Sequence, residues 1–104
     1  MLREELSLTP EGFNLKFRGS PVKRAKRRGY LRNVAVALGN AGDSAAVPAL
    51  AETLQNEPEP LVRSHAAWAL GRIRTIRARL ALDRAHVQEQ DPQVVQEIRS
   101  ALEE

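Results

Sequence analysis

DSAAVPALAETLQNEPEPLVRSHAAWALGRI, residues 43–73, reads as two amphipathic helices joined by a tight loop. Val47, Leu50, Ala51 and Leu54 fall at helical spacing and form one apolar stripe. Asp43 is placed to cap that helix through its carboxylate. Pro48 lies early in it, where a forfeited backbone hydrogen bond costs least. NEPEP, residues 56–60, is the loop. The second helix starts at about Leu61 and carries Val62, His65, Ala66, Ala69 and Ile73 on one side.

The unit recurs. Ala-Leu stands at Ala37-Leu38, Ala69-Leu70 and Ala101-Leu102, thirty-two residues apart each time, and Ala49-Leu50 and Pro60 return at Ala81-Leu82 and Pro92. Several coincidences at one offset are the mark of stacked supersecondary units. Upstream, Leu31, Val34, Ala35 and Leu38 repeat the i, i+3, i+4, i+7 pattern, and residues 40–42 punctuate its end. Downstream, a helix spans Thr75 to about Gln88. Asp91-Pro92 then opens a last one carrying Val94, Val95, Ile98 and Leu102. Nothing alternates with period two between turns, so strands are not expected. The mixture of small Ala with large Leu lets helix axes approach closely. The expectation is an all-α, HEAT-like α-solenoid of two to three helix-pair repeats. It divides into an N-terminal basic helical segment, residues 1–28, and a repeat region, residues 29–104, within one compact domain.

Charge is unevenly spread. Of the net +3, residues 1–32 carry +6 and residues 33–104 carry −3. Cysteine is absent, which excludes a disulfide framework, thiolate metal ligands and a cysteine nucleophile. No apolar run approaches the roughly 20 residues of a membrane helix, and the first residues lack a signal-peptide core. A soluble, cytoplasmic chain is expected. His65 and His86 are the only histidines, too few for a zinc site, which needs three or four converging ligands. No catalytic constellation stands out.

The basic charge is concentrated in PVKRAKRRGYLRN, residues 21–33. Thr9-Pro10 starts a preceding helix, on which Phe13 and Phe17 lie four apart and pack toward the first repeat. Gly19-Ser20-Pro21 breaks it. A short helix from about Val22 to Arg28 follows, ended by Gly29, with Arg32 opening the next. Like charges at i, i+4 are mildly destabilising, and no acid within the segment offsets them. A solvated face is the bland alternative. A polyanion, RNA in particular, gives the run a use: Lys23, Arg24, Lys26, Arg27, Arg28 and Arg32 grip phosphates, releasing counterions. Arg63 and Arg72 either extend this surface along the solenoid or pair with acids such as Glu59. Tyr30 and Trp68 are candidates for stacking on bases, with Trp68 otherwise a filler between repeats.

Residues 43–73 resemble the short HEAT-type repeats of the phycobilisome-lyase class, D-x-x-A-V-P-A-L followed by V-R-x-x-A-A-x-A-L-G-x-I. The third repeat departs from that pattern: it lacks the Val-Pro, and Glu103 replaces the glycine. Residues 6–40, running on into the repeats, resemble the C-terminal region of epoxyqueuosine reductases. The matching positions are Phe13, Phe17, Gly19, Ser20, Arg24, Leu31, Arg32, Asn33, Val36, Ala37, Gly39 and Asn40. Those oxidoreductases act on the tRNA anticodon loop in queuosine synthesis, using cobalamin and two iron–sulfur clusters bound by domains that precede the HEAT-like one. The resemblance therefore implies a non-catalytic, tRNA-docking domain fragment that holds no cofactor itself. Its partners would be tRNA and the catalytic domains of its parent, with no membrane. A HEAT-repeat scaffold for protein partners, without a nucleic-acid role, is the rival expectation.

Overall fold

The apolar stripes all become helix faces. In the computed structural model, residues 2–6 and 24–103 are described, and they form six α-helices and no strand. These are α1 (Leu2–Glu5), α2 (Arg24–Ala41), α3 (Val47–Asn56), α4 (Pro60–Ile73), α5 (Ile76–Gln88) and α6 (Pro92–Glu103), with a 3₁₀ turn (Ser44–Ala46) leading into α3. The expectations for Thr9, Pro10, Phe13, Phe17, Gly19 and Ser20 fall outside the described residues.

Two layers result. In one, α2 packs on α4 and α4 on α6; in the other, α5 packs on α3, and both lean on α4. Leu31, Val34, Ala35 and Leu38 of α2, Leu50 and Leu54 of α3, Val62, Ala66 and Leu70 of α4, Leu82 of α5, and Val94 and Ile98 of α6 are buried. Burying each large aliphatic side chain stabilises by about 1.5–3 kcal/mol. Ala51 is only half-buried; Thr53 takes the buried position instead and returns its hydroxyl to the Ala49 carbonyl at 3.0 Å.

The thirty-two-residue offset is a structural translation. A methyl group built on Gly39 would lie 2.9 Å from Ala69 Cα, and one on Gly71 would lie 3.1 Å from Ala101 Cα. The same glycine-on-alanine crossing thus joins α2 to α4 and α4 to α6. Helix ends repeat as well. Gly42 (φ 67°) and Arg74 (φ 61°) occupy the left-handed conformation just beyond α2 and α4, and their N–H groups donate to Leu38 and Leu70 carbonyls at 3.2 and 3.1 Å. Asp91 caps α6 as expected, Asp43 caps the 3₁₀ turn rather than α3, whose own start has no side-chain cap, and Thr75, expected inside its helix, caps α5. Asp43 accepts from Ala45 N–H at 2.9 Å, Thr75 from Ala78 N–H at 3.0 Å, and Asp91 from Gln93 and Val94 N–H at 3.0 and 3.1 Å.

One expected boundary is absent. Gly29 does not end a helix; α2 runs from Arg24 through it to Ala41. A glycine inside a helix costs about 1 kcal/mol relative to alanine, less than the burial of Leu31, Val34 and Leu38 immediately beyond it recovers. At the far end the pattern changes. Glu103, at the repeat position of Gly39 and Gly71, is exposed, and exposed Arg79 and His86 stand where the preceding repeat buries Val47 and Leu54.

Candidate nucleic-acid interface

Helix phase separates the clustered cations. Arg27 lies one turn before Leu31, on the buried stripe of α2, and its side chain is 4% exposed. Its guanidinium forks onto Glu57, NH2 donating to Oε1 at 2.6 Å and NH1 to Oε2 at 3.0 Å. The same carboxylate accepts the Glu59 N–H at 2.9 Å. Arg27 is therefore internally neutralised, contrary to its expected role as a phosphate grip. Physically, a charge at a core position is stable only if paired and hydrogen-bonded, and the loop after α3 supplies that partner.

Arg63 departs from expectation in the same way. From α4 it forks onto Glu89, Nε to Oε1 at 2.9 Å and NH2 to Oε2 at 3.0 Å, while NH1 donates to the Glu57 and Pro58 carbonyls at 2.8 and 3.1 Å. Burial alone would raise the Glu89 carboxyl. The Arg63 hydrogen bond and charge, with the Asp91 and Gln90 N–H groups, outweigh it and hold the carboxyl below its ordinary value. Glu57 and Glu89 are thirty-two residues apart, and each follows directly on the helix that precedes its loop. In two successive repeats an arginine of the inner layer thus reaches the acid of the next repeat's loop, although from positions that are not equivalent. These two acids went unrecognised as arginine partners, although their shared offset was a legible signal.

Tyr30 is also engaged: its hydroxyl donates to Glu5 at 3.0 Å and its ring packs against the core, so it is not presented for stacking. Lys26 is exposed but lies roughly 160° around the helix from Arg28. Lys23 and the Arg24 side chain fall outside the described residues.

What faces outward together is a smaller set. Arg28, Arg32, Val36 and Asn40 follow one another at four-residue spacing along α2. The repeat translation maps Val36 and Asn40 onto Trp68 and Arg72 of α4, so all six belong to the outward face of the inner layer. Arg28 reaches Glu59 only at 3.8 Å and keeps 42% of its side chain exposed. Arg32 bonds its neutral neighbour Asn33 at 3.3 Å. Arg72 stacks over the Trp68 ring at 5.6 Å from its centroid. Trp68 is half-buried, packed on the core and close against Gly39, so it fills the seam between repeats while one side carries the guanidinium. Neither Arg32 nor Arg72 has an acidic partner within 4 Å among the described residues. His65 is tied to the Leu61 carbonyl at 2.8 Å, and among the described residues no cluster of three or more metal-ligating side chains occurs. No helix there is long and apolar enough to cross a membrane.

The model of HEAT repeats matches residues 24–103. The chain belongs to the HEAT-repeat family. Within it, similar proteins include several epoxyqueuosine reductases. An epoxyqueuosine reductase of Listeria monocytogenes is 35% identical over 97 residues, 93% of this chain and 26% of the relative. One of Xanthomonas campestris is 46% identical over 52 residues, 50% of this chain and 15% of the relative. Among solved structures, an epoxyqueuosine reductase with an epoxyqueuosine-modified tRNA-Tyr stem loop superposes at a TM-score of 0.87, with 29% identity over 99% of this chain and 28% of that one. The HEAT array thus spans about a quarter of the length of such relatives.

Proposed function

We propose that this HEAT array is the non-catalytic, tRNA-docking C-terminal domain of an epoxyqueuosine-reductase-like protein. The reading is supported most by the likeness of nearly the whole chain to a reductase solved with a tRNA stem loop. The outward face of the inner layer fits the role. Arg32 and Arg72 offer forked donors without a close carboxylate competitor, Arg28 is held only loosely by Glu59 at 3.8 Å, and the Trp68–Arg72 stack offers a flat, cationic surface. Arg24 and Lys23 extend the same sequence run. The reaction itself would belong to other domains of the parent, which would hold its cofactors and act on tRNA in the cytoplasm.

The test is anisotropy of a labelled tRNA-Tyr anticodon stem loop titrated with the chain at several salt concentrations. Three phosphate contacts give a slope of log K against log salt of about −2 to −3. The double reversal Arg28→Glu/Arg32→Glu lowers affinity at least about tenfold, as losing roughly 1.4 kcal/mol requires, with an unchanged unfolding midpoint. Equal binding by wild type and variant, or no binding at low salt, overturns the proposal.

A further inference from the structure

The three exposed large hydrophobic residues among those described, Ile76 (81%), Leu80 (57%) and Val87 (85%), all belong to α5. Their spacing, i, i+4 and i+11, places them with Asp83 on one stripe, opposite the face that buries Ala78, Leu82 and Ala85. Repeat translation sharpens the observation. The corresponding positions one repeat earlier are Ser44, Pro48 and Gln55, also exposed. The outward face of the outer layer therefore changes from polar residues and proline in α3 and its approach to Ile, Leu and Val in α5. Its borders change too, from Ala45 and Glu52 to Arg77 and Arg84, with Arg79 on the other edge. None of these three arginines has a partner among the described residues.

We infer that this face of α5 docks an acidic, amphipathic helix of a partner protein. Apolar stripes of this kind mark interaction surfaces, and an aliphatic row bordered by unpaired arginines is complementary to a helix with its own aliphatic row bordered by Glu or Asp. A hollow of about 220 Å³ adjoins Ile76, lined by Leu70, Leu82, Ala101, Arg74 and Arg79, and suits one anchoring side chain. Other occupants fit less well. A further repeat would meet Glu103, Arg79 and His86 at the end of the stack. A second copy related by a two-fold axis would set Arg77, Arg79 and Arg84 against themselves. A lipid surface would meet Asp83 in mid-stripe and no aromatic residue.

The probe is a fluorescein-labelled synthetic peptide, helical, with Leu at i, i+4, i+7 and i+11 flanked by Glu, set against a scrambled peptide of equal composition. The wild-type chain binds the patterned peptide, with amide shifts confined to α5 and the hollow beside Ile76. Ile76→Ser/Leu80→Ser/Val87→Ser abolishes binding, and Arg77→Glu/Arg84→Glu weakens it about tenfold, the sum of two attractions turned repulsive. Val87→Ser alone serves if the triple variant fails to fold. Arg28→Glu/Arg32→Glu leaves peptide binding intact, so failure here is distinguishable from failure of RNA docking. Three results overturn the inference: binding unaffected by the stripe variants, stripe-dependent sedimentation with phosphatidylserine–phosphatidylcholine vesicles in place of peptide binding, or stripe-dependent dimerisation in light scattering.

Discussion

Arg27 and Arg28 are neighbours in the chain and opposites in the fold. The first is enclosed in the seam between two repeats, clasped by Glu57; the second lies on the outward face of the inner layer, 3.8 Å from an acid and open to water. Arg63, further along, repeats the first case and Arg72 the second. Density of charge along a sequence therefore says little about where the charge is directed. The phase of the helix decides, because one residue is roughly 100° of rotation and the stripe beginning at Leu31 reaches back to Arg27. Seam arginines join one repeat to the next, and face arginines are directed to solvent.

That contrast is broken most forcefully by removing one arginine from each class. Arg27→Ala leaves Glu57 buried without its counter-charge and is expected to cost about 3–5 kcal/mol, as breaking a buried pair does. Arg28→Ala removes a long, weak, exposed contact and stays within about 0.5 kcal/mol of wild type. Urea unfolding of both variants measures the difference. Equal losses would mean that the seam and the face are not distinct.

Glycines provide the next largest separation. Gly39→Ala and Gly71→Ala each push a methyl group to 2.7 Å from a neighbouring side-chain carbon, with backbone at 2.9 and 3.1 Å, and overpacking of that kind costs about 1–3 kcal/mol. Gly29→Ala meets nothing within 4 Å and stabilises by about 0.5–1 kcal/mol through lower backbone entropy in the unfolded chain. The sign change between Gly29 and Gly39, inside one helix, is read directly from thermal melts.

The helices and their stacking were legible because two independent periodicities coincide, 3.6 residues within a helix and thirty-two between repeats. The capping roles of Asp43 and Asp91 followed from local chemistry, since a side-chain oxygen at that position has a waiting N–H, whereas Thr75, expected inside its helix, proves to be the cap. The continuity of α2 was not legible. Gly29 is locally a helix stop, and only the tertiary burial of the residues after it overrides that preference. The site was half legible. Arg28, Arg32 and Arg72 face outward. Arg27, Arg63 and Tyr30 are drawn inward by Glu57, Glu89 and Glu5, acids 30, 26 and 25 residues away whose proximity depends on the fold. The exposed row on α5 carried its own signal, Ile76, Leu80 and Val87 at helical spacing, but the buried row Ala78, Leu82 and Ala85 competes with it for the core side.

The gentlest way to sharpen the comparison is to titrate one seam. The Glu89 carboxyl is held below its ordinary value because Arg63 and two backbone N–H groups favour its charged form more than burial opposes it. A carboxyl lowered by folding contributes stability that is fully present above its unfolded value and is lost as pH falls through its folded one. The variant Glu89→Gln keeps an acceptor for the Asp91 N–H but cannot fork to Arg63 as a charge. The stability difference between wild type and Glu89→Gln should therefore stay constant from neutrality down to the ordinary glutamate range and narrow as pH falls through and below it. Arg63 and Glu89 are more exposed than Arg27 and Glu57 (17% and 7% against 4% and 4%), which makes this difference smaller than the loss in Arg27→Ala. A gap that stays constant through the acid range would show that neither Arg63 nor the backbone N–H groups favour the charged carboxylate, leaving Arg63 closer in kind to the face arginines than to Arg27.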